Sequence, residues 1–133
     1  MRGAAPERGS AVVEFVMIAV LLMFLLFAVL QVAVYFYVRN IVQASAARGA
    51  RYAANSGIAY SEGGTHATKL INAGLSGRVA KDIPCTGSAS RDAATELELT
   101  VVRCTGHLKS IFLPIGSIVS ITVTSRVLKE GPP

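Results

Sequence analysis

Glu14 is the residue whose position most demands a chemical reason. It follows Gly9-Ser10-Ala11-Val12-Val13 and precedes sixteen consecutive apolar residues from Phe15 to Leu30, in a stretch that stays largely apolar to Val38. A charged side chain inside such a stretch costs a few kcal/mol, about 2.5 to 3.5 on insertion scales for Asp, Lys and Arg. The carboxylate therefore needs either a short path to the lipid headgroups, by snorkelling, or a cationic partner.

The other reactive groups are few. Cys85 and Cys104 are the two cysteines. Outside the membrane of a bacterium-like cell they meet oxidising conditions, where a bridge closing a loop of this size contributes about 3 kcal/mol; two free core thiols are the other reading. His66 and His107 lack the close spacing to each other or to the cysteines that zinc ligands show, so no metal site is expected. Glu62, Asp82, Asp92, Glu96, Glu98 and Glu130 are scattered, and no nucleophile elbow, phosphate loop or dinucleotide fingerprint occurs. Nothing in the chain argues for an enzyme, and no cofactor is implied.

Composition narrows the class further. Of 133 residues, 52% are hydrophobic, and the excess lies in the first forty. Once a membrane segment is subtracted, the remainder suffices for one small domain with a modest core. The formal charge is +5, but the basic residues form no run and Trp is absent, which speaks against a nucleic-acid partner.

The elements that must position Glu14 follow from periodicity and length. Residues 1–9 read as a leader, with Arg2 and Arg8 basic and Glu7 acidic, and with Pro6 and two glycines disfavouring helix. Residues 10–38 exceed the roughly 20 apolar residues that cross a bilayer, so membrane lipid surrounds them. Tyr35, Tyr37 and Arg39 suit an interfacial belt, while the basic residues on the two flanks nearly balance and leave the orientation open. Residues 39–56 continue the helix as an Ala-rich stalk; from Ser10 to Ala54 it would be about 68 Å long at ~1.5 Å per residue. Val42, Ala46, Ala50 and Ala53 form a narrow seam on this stalk. Small side chains there suit the close approach of another helix in an assembly, or packing beneath this protein's own head.

Residues 57–133 then form a small α+β head. Ser61–Gly64 reads as a loop and a short second helix starts near Thr65, with Leu70, Ile71, Leu75 and Val79 as its apolar stripe and Pro84 as its stop. Cys85–Ser90 reads as a turn. Glu96–Cys104 alternates as a strand, with Leu97, Leu99 and Val101 on one face and Glu98 and Thr100 on the other. A connection carrying Gly106, Pro114 and Gly116 leads to the clearest strand, Ile118–Leu128, with Val119, Ile121, Val123 and Val127 inward. The two strands are expected to pair as an antiparallel hairpin or small sheet against a helix.

The stretch from Gly9 to Phe15 resembles a type IV prepilin processing site. In that family a prepilin peptidase cuts after the glycine on the cytoplasmic face and a glutamate stands fifth in the mature chain; here Ser10 would be first and Glu14 fifth. Residues 37–54, ending in Ala47-Arg48-Gly49-Ala50-Arg51-Tyr52-Ala53-Ala54, are similar to the TadE-like family, the minor pilins of tight-adherence (Flp) pilus systems. Together the two matches cover residues 8 to about 54. The acidic Glu7 departs from a purely basic leader.

The resemblance implies a pseudopilin in the cytoplasmic membrane, single-pass, with leader inside and head outside. It implies as partners a prepilin peptidase, other minor pilins, a major pilin and the inner-membrane pilus platform. It also offers Glu14 a partner, since the cut would create an amine at Ser10 one helical turn away. A rival expectation from a different class keeps the helix as an uncleaved signal anchor and makes the head an extracytoplasmic binding or adhesion module.

Overall fold

The computed structural model describes residues 8–110 and 117–131. Its dominant element is α1, a single helix over Arg8–Ala54 that contains no proline. Its 47 residues correspond to about 70 Å at ~1.5 Å per residue. From Gly9 to Tyr37 no residue of α1 is buried; Val38 is the first that is. The apolar side chains of this bare part face outward on every side, Phe15 at 72% exposure among them, which fits a single-pass membrane anchor.

The helix ends where Asn55, Ser56 and Gly57 turn the chain, with Gly57 in the left-handed region at φ 80° that glycine adopts without strain. Then follow α2 (Tyr60–Gly74), the single turn α3 (Gly77–Ala80), and strands β1 (Cys85–Arg91), β2 (Glu98–Lys109) and β3 (Ser117–Leu128). The strands form one antiparallel sheet in the order β1-β2-β3. The upper half of α1 packs on β2 and β3, and α2 packs on β1 and beside α1, so both helices cover the same face of the sheet. The core lies between these layers, built from Val42, Ala46, Ala50, Ile71, Ile83, Val102, Cys104 and Ile121.

This is the α+β architecture expected, but four local assignments change. Ser61–Gly64 is helical, not a loop, because α2 starts at Tyr60. Two glycines in its first turns each cost about 1 kcal/mol of helix propensity. They are tolerated because α2 meets the backbones of α1 and β1 there: a Cβ on Gly63 would lie 2.9 Å from Ala53 Cβ and 3.0 Å from Gly49 O, and one on Gly64 would lie 2.7 Å from Gly87 N. The turn expected at Cys85–Ser90 is strand β1, whose residues pair one for one with β2 from Cys85↔Cys104 to Arg91↔Glu98.

β2 shows the opposite face to the core. Thr100, Val102, Cys104 and Gly106 are buried, whereas Leu97 is 50% exposed and Leu99 and Val101 are half-buried. Both sets of side chains alternate, so pattern alone does not choose between them. The choice follows from Cys104 and from Gly106, which lies within β2 and not in the connection. A Cβ on Gly106 would come within 2.7 Å of Ile83 Cγ1, so only the residue without a side chain lets that segment close over the sheet. β3 follows expectation, with Ile121 and Val123 buried and Val119 and Val127 partly so. Pro114 and Gly116, like residues 1–7 of the leader, lie outside the described residues.

Candidate functional site

Gly9 and Ser10 are helical and exposed in the first turn of α1, and among the described residues nothing packs within 4 Å of the place a Cβ would occupy on Gly9. Glu14 stands four residues beyond Ser10, so on a helix both occupy one face. Its side chain is exposed and makes no hydrogen bond or ion pair among the described residues. Any cationic partner for this carboxylate comes from outside the described part of the chain.

The seam has a different environment. Val42, Ala46, Ala50 and Ala53 are each 0% exposed, covered by α2 and the sheet. Of the two readings of these small side chains, the one realised in the structure is packing under the chain's own head. Gly49 belongs to the same interface, since a Cβ there would collide with Gly63 O and lie 2.9 Å from Ala67 Cβ. Thus the short side chains that suit helix association are used between α1 and α2, and the face of α1 left open to another molecule is the bare part below Val34.

Two ties that periodicity does not reveal hold the head, one within its sheet and one to α1. Cys85 and Cys104 form a disulfide between directly opposed residues of β1 and β2. At the far end of the sheet, Lys129 Nζ donates to Ala53 O at 2.6 Å, Asn55 O at 2.8 Å and Ile58 O at 2.7 Å. Ala53 O is one of the carbonyls that a helix terminus leaves without intrahelical partners, Asn55 O and Ile58 O belong to the turn beyond it, and the ammonium also meets the negative end of the α1 dipole. The Glu130 N–H adds a bond to Ala54 O at 2.8 Å.

The same ammonium lies 4.9 Å from the centre of the Tyr60 ring, whose hydroxyl donates to Glu98 Oε2 at 2.9 Å. That hydrogen bond to the carboxylate, with some desolvation and the charge of Glu98, raises the Tyr60 pKa above its ordinary value. A lysine just past an alternating strand was the sequence signal for this cap, but its target lies 76 residues away.

Among the described residues no group of three or more His, Cys, Asp or Glu side chains converges as a metal site would require. His66 instead stacks on Tyr52, with ring centres 4.5 Å apart, along the outer edge of the α1 and α2 pair.

Residues 9–51 match the family model described as TadE-like protein. The match begins at Gly9 and runs along α1 to Arg51, so it covers the bare helix, Glu14 and most of the seam but none of the sheet. No curated protein and no solved structure matches the chain.

Proposed function

We propose that this TadE-like chain is a minor pilin (pseudopilin) of a tight-adherence (Flp) pilus, cut after Gly9 by a prepilin peptidase and active in pilus assembly. The observation that carries the reading is Glu14: an exposed carboxylate on a bare apolar helix, without a partner among the described residues of its own chain. Cleavage supplies the missing cation as the new amine of Ser10. In a bundle of such helices the carboxylate of one subunit meets the amine of another, and a buried charge that is costly alone is satisfied on assembly. The pair then works as a registry device.

In this reading the leader faces the cytoplasm and the head lies outside the cytoplasmic membrane. The disulfide between Cys85 and Cys104 supports that side, because such bridges persist in oxidising compartments. The bare part of α1 offers its surface to other minor pilins, the major pilin and the inner-membrane platform, while the seam holds the head. Intact mass and N-terminal sequencing of the chain from cells with and without the peptidase test the first step. The expected mature chain begins at Ser10 only when the peptidase is present; a chain still beginning at Met1 or Arg2 in both would remove the processing step and with it the role assigned to the new amine.

A further inference from the structure

The head meets α1 lower than the seam requires. A cleft of about 590 Å³ opens between them, with Gln31 and Val34 of α1 on one wall. Arg78 of α3, Lys81 just after it, and Lys109 at the end of β2 stand around the same cleft, and all three are exposed. Arg78 and Lys81 are three residues apart, Lys109 lies 28 residues further along, and the three form no basic run. They come together because β2 runs antiparallel to α1, from Glu98 near the cap on Ala53 down to Lys109 near Gln31. Asp82 is the acidic residue beside them, so three cations face one carboxylate.

Their level along α1 is what gives these cations a ligand. Beyond Glu14 the helix is apolar from Phe15 to Leu30 with no buried residue, and the roughly 20 residues that a hydrocarbon core of about 30 Å takes at ~1.5 Å per residue reach from Phe15 to Val34. Gln31 is the first polar side chain after this stretch. A hydrocarbon layer that starts at Phe15 therefore ends beside Val34 in the cleft, where Val34, Tyr35 and Val38 pack toward the head while Val32, Phe36 and Tyr37 stay exposed.

We propose that the base of the head, formed by Arg78, Lys81 and Lys109 against α1 at Gln31 and Val34, binds the headgroup phosphates of anionic phospholipid in the leaflet from which α1 emerges. This rests on the membrane anchoring of α1 and not on the pilus reading. Juxtamembrane cations attract anionic lipid by roughly fivefold each, and a cleft walled on one side by the spanning helix holds the phosphate next to the acyl chains of the same lipid. The attachment orients the head on the membrane before any partner arrives.

The test uses the full chain reconstituted in phosphatidylcholine bilayers containing a trace of spin-labelled phosphatidylglycerol or spin-labelled phosphatidylcholine. The fraction of label immobilised by the protein is compared for the two lipids. The expected result is a several-fold preference for phosphatidylglycerol at low salt, fading at about 1 M salt where the Debye length is about 3 Å. The R78Q/K81Q/K109Q variant brings the ratio near one, and R78K/K81R/K109R keeps it. A variant with the same charge change at the opposite end of the head, R48Q/R51Q/R91Q, also keeps it. Equal affinity for both lipids in the unaltered chain, or an equal loss in the two neutralised variants, would overturn the proposal.

Discussion

Lys129 and Ala53 are joined by a 2.6 Å hydrogen bond from the ammonium to the carbonyl, so the end of the last strand caps the end of the first helix. Thr100 Oγ1 reaches the same carbonyl at 3.5 Å and cannot replace the charged donor. Lys129→Met is expected to lower head stability by about 1.5 to 3 kcal/mol, the range for hydrogen bonds to charged groups. Thermal unfolding of the full chain in detergent checks this, with exposed Lys69→Met expected within about 0.5 kcal/mol of the unaltered protein.

Tyr60 ties pH to the same corner. Its pKa is raised, first by the hydrogen bond to Glu98, so its hydroxyl keeps its proton in the folded state where the unfolded chain has begun to lose it. The stability it adds is fully present below the ordinary tyrosine pKa of 10.0 and is lost as pH rises through the higher folded value. Ultraviolet titration of tyrosinate should show a late component that Tyr60→Phe abolishes. If Tyr60→Phe leaves the alkaline end of the curve unchanged, the hydrogen bond to Glu98 does not persist in solution.

Reduction of the Cys85–Cys104 bridge should lower stability by about 3 kcal/mol, the chain-entropy value for a loop of this length. Denaturant midpoints with and without reductant measure it. The Cys85→Ser/Cys104→Ser double variant should match the reduced protein and show no further response to reductant.

Gly49 reverses the usual rule for helix interiors. Glycine to alanine in a helix ordinarily stabilises by about 1 kcal/mol, but at Gly49 the added methyl meets the Gly63 backbone, which cannot rotate away. Gly49→Ala is expected to destabilise the head by about 1 to 3 kcal/mol, as overpacked cores do. Gly77→Ala, where no atom lies within 4 Å of the new Cβ, should be neutral or slightly stabilising in the same unfolding measurement.

Glu14→Ala separates anchoring from assembly. Removing a carboxylate from the apolar stretch should leave membrane insertion intact or improve it by a few kcal/mol. Pilus assembly should fall if the carboxylate pairs with the Ser10 amine of a neighbouring subunit. Membrane fractionation and surface pilus counts read the two effects independently, and unchanged pili would return Glu14 to a snorkelling side chain.

Local hydropathy and period settle what depends on neighbours along the chain. The bare helix from Gly9, the lone carboxylate at Glu14, the turn at Asn55–Gly57 and the inward face of β3 are written in local hydropathy and period, and the TadE-like match follows the same helix. Features that depend on distant partners take shape when the chain folds. Cys-Thr-Gly-Ser-Ala-Ser-Arg has too little apolar alternation to announce β1, which exists because β2 supplies its hydrogen bonds. β2 carries apolar side chains on both faces, and its inward side was set by Cys104 and by the room that Gly106 leaves beside Ile83. Gly63 and Gly64 look like loop residues until Gly49 and Ala53 approach the first and Thr86 and Gly87 the second. The cap by Lys129 and the three cations at the base of the head likewise arise from chain segments that only folding brings together, because a charge acts on whatever lies within a few ångströms and not on its neighbours in sequence.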